Sequence, residues 1–413
     1  MIRQTDSIKT MSRILILFLI PLVLSGCARK VVVKVKIPQD ALVLSKGWSR
    51  PKLTDDMDKG SLKTAIERSI EYLKRLPVDR KFTYGPHTYS AGYLIESSNT
   101  FLNILKSSST SKDLNKKIRR HFNIYKSVGS KGKGSVLFTG YYEPLLKGSL
   151  TRSDEYRHPL YIKPRDLLKV NLEQFHPRFK GERIVARWDG NRILPYYDRK
   201  EIDVEKVLKG KGLELLWVSD LVDLFFMQIQ GSGVITLEDG NMQRVHYAAS
   251  NGRAYRSIGR KFIDENIIPR DEMSMQRVKT YLKDHPKERD RILNYNASYV
   301  FFEKVDKGPL GNIEVVLTPG RSIATDYRLF PRGGLAFIST QKPEIDQSGK
   351  ITEWKNFSRF VVNQDTGGAI RGPGRVDMFW GTGNRAGIIA GAMLQRGKLY
   401  FLAMKSNGDK RRL

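Results

Sequence analysis

The sequence predicts a mainly β protein built from more than one β unit, with helices gathered near its N-terminus. Three observations lead there. The chain has 413 residues, 40% of them hydrophobic, enough for two or three domains with a real core. Helical periodicity is concentrated between residues 61 and 122. From Val136 onward, short apolar runs alternate with turn residues, the pattern of barrels or sandwiches.

The first helix is expected over Ser61–Leu76, where Leu62, Ile66, Ile70 and Leu73 share one face, Ser61 is placed to cap it and Pro77 ends it. Leu94, Ile95, Phe101, Leu102 and Leu105 suggest a second helix, and Leu114, Ile118 and Phe122 a third. The third carries the basic run Lys116–Arg120, best read as a solvated helix face. Strands are expected at 136–142, 159–163, 183–188, 224–229, 233–237 and 243–248. After a helix at about 269–283 they resume at 299–304, 312–317, 335–339, 358–364, 375–380 and 398–404.

The formal net charge is +29. Such a field favours anionic partners: nucleic acid, lipid headgroups or an acidic polymer. Cys27 is the only cysteine, so no internal disulfide forms, and the six histidines are too scattered to suggest a metal site. No metal and no cofactor is expected. Ile14–Leu24 is an apolar run preceded by Arg3, Lys9 and Arg13, too short to span a bilayer of roughly 30 Å. Leu24-Ser25-Gly26-Cys27 follows and resembles a bacterial lipobox, whose cysteine carries the lipid. Residues 1–26 then form a signal peptide and 27–60 a basic tether. Ala28, where lipoprotein sorting would place a retention Asp, favours the periplasmic face of the outer membrane. That location argues against nucleic acid as a partner.

Chemistry concentrates in Asp365-Thr366-Gly367-Gly368-Ala369-Ile370-Arg371-Gly372-Pro373-Gly374-Arg375-Val376-Asp377. Asp365 ends one expected strand and Asp377 lies inside the next, flanked by Val376 and Met378. A carboxyl in apolar surroundings has a raised pKa, and a second carboxylate nearby raises it further, which is how a general acid for neutral pH is made. The pattern alone equally admits both aspartates as turn-holders.

This run, with Ile323-Ala324-Thr325-Asp326, resembles the three-aspartate domain of cell-wall enzymes. Phe138-Thr139-Gly140-Tyr141-Tyr142-Glu143-Pro144, Phe225–Gly233, Tyr247–Gly252, Tyr255–Gly259 and Asn296–Phe302 resemble further motifs of one family, the membrane-bound lytic murein transglycosylases A. Ala297 departs from that family's usual proline. The resemblance implies a double-psi β-barrel made of residues 61–143 and 303–413, its three-aspartate region at about 318–385. It also implies a smaller β-barrel-like domain, 144–302, inserted between the two parts. It implies a catalytic set of Asp377, Asp365 and Asp326, with Asp377 as acid/base. Thr139, Gly140, Tyr141, Gln230, Gly231, Ser232, Gly233, Gly367 and Gly368 would contact substrate, although 230–233 also reads as a glycine turn between two strands. The implied partner is a peptidoglycan glycan strand, and the implied reaction is non-hydrolytic cleavage with 1,6-anhydro product ends by a monomer. A muramidase and a non-catalytic peptidoglycan-binding lipoprotein are the rival readings.

A Cys27→Ser protein is expected to lose acylation and membrane association. Retention in the membrane fraction after a high-salt wash would overturn the lipobox reading.

Overall fold

The computed structural model describes residues 35–406; Cys27 and the apolar leader lie outside them. Six strands close into a barrel in the order Val136–Glu143, Arg375–Thr382, Ser322–Ala324, Ile351–Asp365, Leu335–Ile345, Leu394–Met404 and back to Val136–Glu143. Two of these pairings are parallel: Ser322–Ala324 with Ile351–Asp365, and Arg375–Thr382 with Val136–Glu143. Phe122–Ser127 and Leu42–Leu44 extend the sheet beyond Leu394–Met404.

The barrel strands are apolar on both faces, and the period-2 alternation divides their side chains between two cores. Phe138, Ala336, Ile338, Val361, Val376, Met378 and Phe401 belong to one. Phe337, Phe360, Val362, Tyr400 and Leu402 belong to the other, which is completed by helices Lys59–Lys74, Ala91–Ser107 and Ser111–His121 through Leu62, Ile66, Phe101, Leu105 and Ile118. The N-terminal helices thus cover the barrel wall. The first starts two residues before the expected point, because Asp58 and not Ser61 is its cap; the Asp58 carboxylate accepts from the Ser61 amide at 2.7 Å.

A buried arginine fixes the strand on which the site is built. Arg321, with no exposed surface, precedes strand Ser322–Ala324. It donates to Asp55 Oδ2 at 2.7 Å, Asp55 Oδ1 at 2.9 Å, and the carbonyls of Asp58 and Phe360 at 2.8 Å each.

The chain leaves the barrel through Glu143 and Pro144 and enters a second sheet at once. Its order is Val300–Val305, Met242–Ser250, Ser232–Thr236, Leu145–Ser149, Glu214–Val218, His158–Tyr161. A bridge between Ile162 and Phe302 draws its two edges together. Helices Leu221–Gln230, Ile258–Asp264, Met275–Asp284 and Pro286–Asn294 share an apolar core beside it. A small three-stranded sheet, Leu168–Asn171, Arg183–Trp188 and Ile193–Pro195, completes this part.

Two expected strands are absent. Residues 224–229 belong to helix Leu221–Gln230, because Asp220 caps the amides of Val222 and Asp223 while Gly231 ends the helix at φ +83°. A short apolar run does not by itself separate buried helix from strand; the caps decide. Residues 312–317 form a turn, with Glu314 at φ +54° and a single bridge from Leu310 to Val316. The expected helix 269–283 begins only at Met275, after Ser274 as cap.

Removing one partner of a buried, hydrogen-bonded ion pair costs roughly 3–5 kcal/mol, because the other charge stays buried alone. Arg321→Ala is expected to lose that much in urea unfolding, and a loss under about 1 kcal/mol would show that the Asp55 contact is replaced by water.

Candidate active site

Strand register places the candidate residues in one line. Ala324 is opposite Asp365 on one side and opposite Asp377 on the other, and Asp377 is opposite Thr139. Residues facing one another across a ladder project to the same side. Asp365, Asp377 and Thr139 therefore share one face of four adjacent strands. Two residues on, Phe379 pairs with Tyr141, their rings 5.3 Å apart.

Asp377 keeps a fifth of its side chain exposed and has Arg375 as its cationic neighbour, Nε at 3.6 Å from Oδ1. That separation is too long for a hydrogen bond, and Asp377 Oδ1 is buried without a partner. Arg375 instead donates to Thr139 Oγ1 at 3.1 Å. Burial pushes the Asp377 carboxyl up to about 6 against the opposing pull of Arg375. Asp365 is also pushed up to about 6, by burial first; the Thr366 and Asn312 amides hold it down, and the charge of Asp377 adds to the rise. Its Oδ1 accepts from those two amides at 2.8 and 3.0 Å. Tyr141 stands beside Asp365 and within reach of the Asp377 charge; burial and both carboxylates raise its pKa strongly. Its hydroxyl is buried and makes no well-formed hydrogen bond. Two carboxyls that titrate near neutrality, with unpaired polar atoms beside them, are where proton transfer is to be looked for.

Asp326 is differently placed. It is fully buried and its carboxylate accepts from Arg328 Nε and Nη2 at 2.9 and 2.8 Å and from the Gly372 amide at 2.8 Å. Burial alone would raise its pKa, but these bonds outweigh it and leave the group below the usual carboxylate value. It ties the 371–374 loop to the turn after Ala324, while Thr366 Oγ1 donates to the Thr325 carbonyl at 2.8 Å.

Gly140 lies on the opposite face from Thr139 and Tyr141. A β-carbon there would come within 2.6 Å of Ala390 and 2.8 Å of Trp380, so this glycine lets helix Asn384–Ala392 pack against the strand. Gly367 and Gly368 sit in the loop after Asp365, Gly368 in open space. The stretch 230–233 is a turn, but between a helix and a strand: Gly231 closes helix Leu221–Gln230 and Ser232 opens Ser232–Thr236. Gln230 Oε1 accepts from the Tyr142 amide at 3.1 Å, stapling this turn to the barrel strand. A β-carbon on Gly233 would meet Met227 Sδ at 2.3 Å.

Two neighbours of Asp377 were without a role in the sequence reading. Arg375 precedes Asp377 by two residues on one strand, so period-2 alternation alone puts both on one face. Tyr255 comes from the second part of the chain, and the charges of Arg375 and Asp377 both act on it. Only proximity in the fold reveals that. Among the described residues no cluster of metal-binding side chains occurs, and no helix is long and apolar enough to cross a membrane.

Comparison with known proteins now bears on this geometry. Residues 137–303 match the MltA specific insert domain, and residues 321–403 match the 3D domain. The membrane-bound lytic murein transglycosylase A of Escherichia coli K12 is 30% identical over 290 residues, 68% of this chain and 70% of that protein. This chain belongs to the membrane-bound lytic murein transglycosylase A family. It is an enzyme of that family. The crystal structure of a membrane-bound lytic murein transglycosylase from Agrobacterium tumefaciens superposes with a TM-score of 0.70 at 29% identity, covering 84% of this chain and 93% of that one. The E. coli MltA structure with bound chitohexaose shares the fold, with a TM-score of 0.68 at 24% identity over 90% of this chain and 98% of that one.

A carboxyl with a raised pKa binds its proton more tightly in the folded than in the unfolded chain, so it lowers stability as pH rises from about 4 through 6. Asparagine is free of that effect and keeps an oxygen for the Thr366 and Asn312 amides. Asp365→Asn is therefore expected to gain stability over the parent between pH 4 and pH 7, by about 1–3 kcal/mol. Thermal unfolding of both proteins at the two pH values measures this, and a constant difference would contradict the raised pKa.

Proposed function

We propose that the chain cleaves the β-1,4 bond between N-acetylmuramic acid and N-acetylglucosamine in peptidoglycan without water, leaving 1,6-anhydromuramoyl ends. The observation that carries this reading is the line Asp365–Asp377–Thr139, with the Asp377 carboxyl pushed up to about 6 by burial and the Arg375 Nε 3.6 Å from it. Asp377 gives its proton to the leaving glycosidic oxygen. The muramoyl C6 hydroxyl attacks C1 of its own ring and returns a proton to the Asp377 carboxylate, so the acid is regenerated. The nucleophile belongs to the substrate at high effective concentration. A hydrolase needs a second carboxylate acting on the opposite side of the sugar; here Asp365 lies on the same sheet face as Asp377 and helps to orient the acid. Asp326 holds the loop between them.

We read the barrel as the double-psi form, which its two parallel pairings support. The barrel of 61–143 and 303–413 supplies the acid, and the inserted 144–302 domain supplies the other wall of a glycan groove. Tyr255 near Asp377 and Gln230 against the strand of Thr139 support that division; a glycan as the ligand accords with the chitohexaose bound in the E. coli MltA structure. Thr139, Tyr141, Ser232, Gly367 and Gly368 would line the groove. The protein acts as a monomer held by a lipid on Cys27 at the periplasmic face of the outer membrane; the relatives' designation as membrane-bound supports the membrane association.

Asp377→Asn removes the proton without changing shape. It is expected to lower anhydro-muropeptide release at least 100-fold while long glycan strands still bind; Asp365→Asn should be impaired less. Retention of more than about a tenth of parental turnover would exclude Asp377 as the acid. Because the acid form is the active one, turnover of the parent should fall as pH rises beyond about 6. Product mass distinguishes the reaction class: an anhydro end is one water lighter than the reducing end of a muramidase product.

A further inference from the structure

The small sheet of Leu168–Asn171, Arg183–Trp188 and Ile193–Pro195 carries its apolar residues on the outside. Register pairs Leu168 and Pro195 with Ala186, Val170 with Ile184, and Ile193 with Trp188. All seven positions of this face are apolar. The other face holds Lys169, Asn171, Arg183, Val185, Arg187 and Leu194. That second face is the packed one: Val185 joins the core of Tyr196, Tyr299 and Phe301, and the Arg187 guanidinium lies 4.3 Å from the Tyr197 ring centre. The rest of the apolar face around the buried Ala186 is open to solvent, with Trp188 58% exposed and Leu168, Ile184 and Ile193 each more than a third exposed. A one-sided antiparallel sheet normally buries its apolar face and wets the other. A contiguous exposed apolar face marks an interaction surface.

The charge around it says what covers it. Between residues 163 and 195 there are eight Lys and Arg against four Asp and Glu. Arg165, Arg178, Lys180 and Arg192, from the connecting segments, are all exposed, as are Lys169 and Arg183 on the other face of the sheet. Cations near an apolar patch that includes a tryptophan are the composition of a surface that sinks into an anionic lipid interface. The apolar side chains enter below the headgroups, tryptophan sits at headgroup level, and basic side chains reach the phosphates. A sugar platform differs: it needs hydrogen-bonding side chains beside its aromatic ring, and this face has none.

We propose that this face is a second, peripheral membrane contact, docking on an anionic phospholipid surface. It is separate from any lipid on Cys27 and independent of what the aspartates do. Held in this way, the small sheet fixes the orientation of the enzyme on the bilayer, since Val185 on its inner face abuts Gly252 in the segment leading to Tyr255.

The test uses the full chain with Cys27→Ser, in which Trp188→Cys or Ile193→Cys provides the single thiol for a nitroxide label; Gln347→Cys, at an exposed turn of the barrel, is the control. Cleavage of soluble murein by each labelled protein verifies folding. On adding phosphatidylglycerol–phosphatidylcholine vesicles, collisions with oxygen relative to a water-soluble nickel chelate are expected to rise severalfold at 188 and 193 and to stay constant at 347. Vesicles of phosphatidylcholine alone should give a much smaller rise. The proposal is overturned if 188 and 193 behave like 347, if neutral vesicles act as well as anionic ones, or if soluble glycan strands and not vesicles protect the labels.

Discussion

Strand Val136–Glu143 lies between Arg375–Thr382, to which it runs parallel, and Leu394–Met404, to which it runs antiparallel. These two ladders close the barrel, and everything at the site follows from their register. They set Thr139 opposite Asp377 and bring Arg375 within a hydrogen bond of a residue 236 positions earlier. The entropy of closing so long a loop grows only slowly with its length, so a whole folded unit can occupy the interval. A slip of one residue would turn Thr139 and Tyr141 to the helix side and force Phe138 into their place.

Closure also shapes the electrostatics. The chain is strongly basic, yet its two central carboxyls titrate near neutrality, because burial dominates and the pairing of charges is incomplete. Asp326 illustrates the contrast. With two short bonds from the Arg328 guanidinium and one from the Gly372 amide, a carboxyl of the same motif is held ionised. Arg375 is what keeps Asp377 from resembling it: the guanidinium is near enough to stabilise the charge, but its hydrogen bond goes to Thr139.

Much of this was legible in the sequence. Strand Arg183–Trp188 matched its expected bounds, and the positions of Asp365 at a strand end and Asp377 within the next followed from alternation and glycine punctuation. Residues 224–229, Leu-Phe-Phe-Met-Gln-Ile, are apolar in a way both helix and strand accept, and the deciding caps, Asp220 and Gly231, lie outside them. The 312–317 turn resembles a strand in sequence because Ile313, Val315 and Leu317 alternate and are all buried although the chain is bent. Helix Asn384–Ala392 escaped notice because its glycines and alanines lack an amphipathic stripe; it exists because it fits against Gly140. Tyr255 lies within a family motif, but its nearness to Asp377 depends on tertiary packing that no local pattern encodes.

The passage from barrel to second sheet occupies a single residue, Pro144. The buried Glu143 before it accepts from Thr382 on the barrel at 2.7 Å and pairs with Arg244 on the second sheet at 3.4 Å, while the Pro144 carbonyl accepts from Val234 at 2.8 Å. The return path, from Val305 to Ser322, is long by comparison. So short a covalent joint has no slack for sliding. The Gln230 side chain, accepting from the Tyr142 amide at 3.1 Å, ties the second part to the barrel on the other side of Glu143, so the first strand of the second sheet inherits its direction from the barrel.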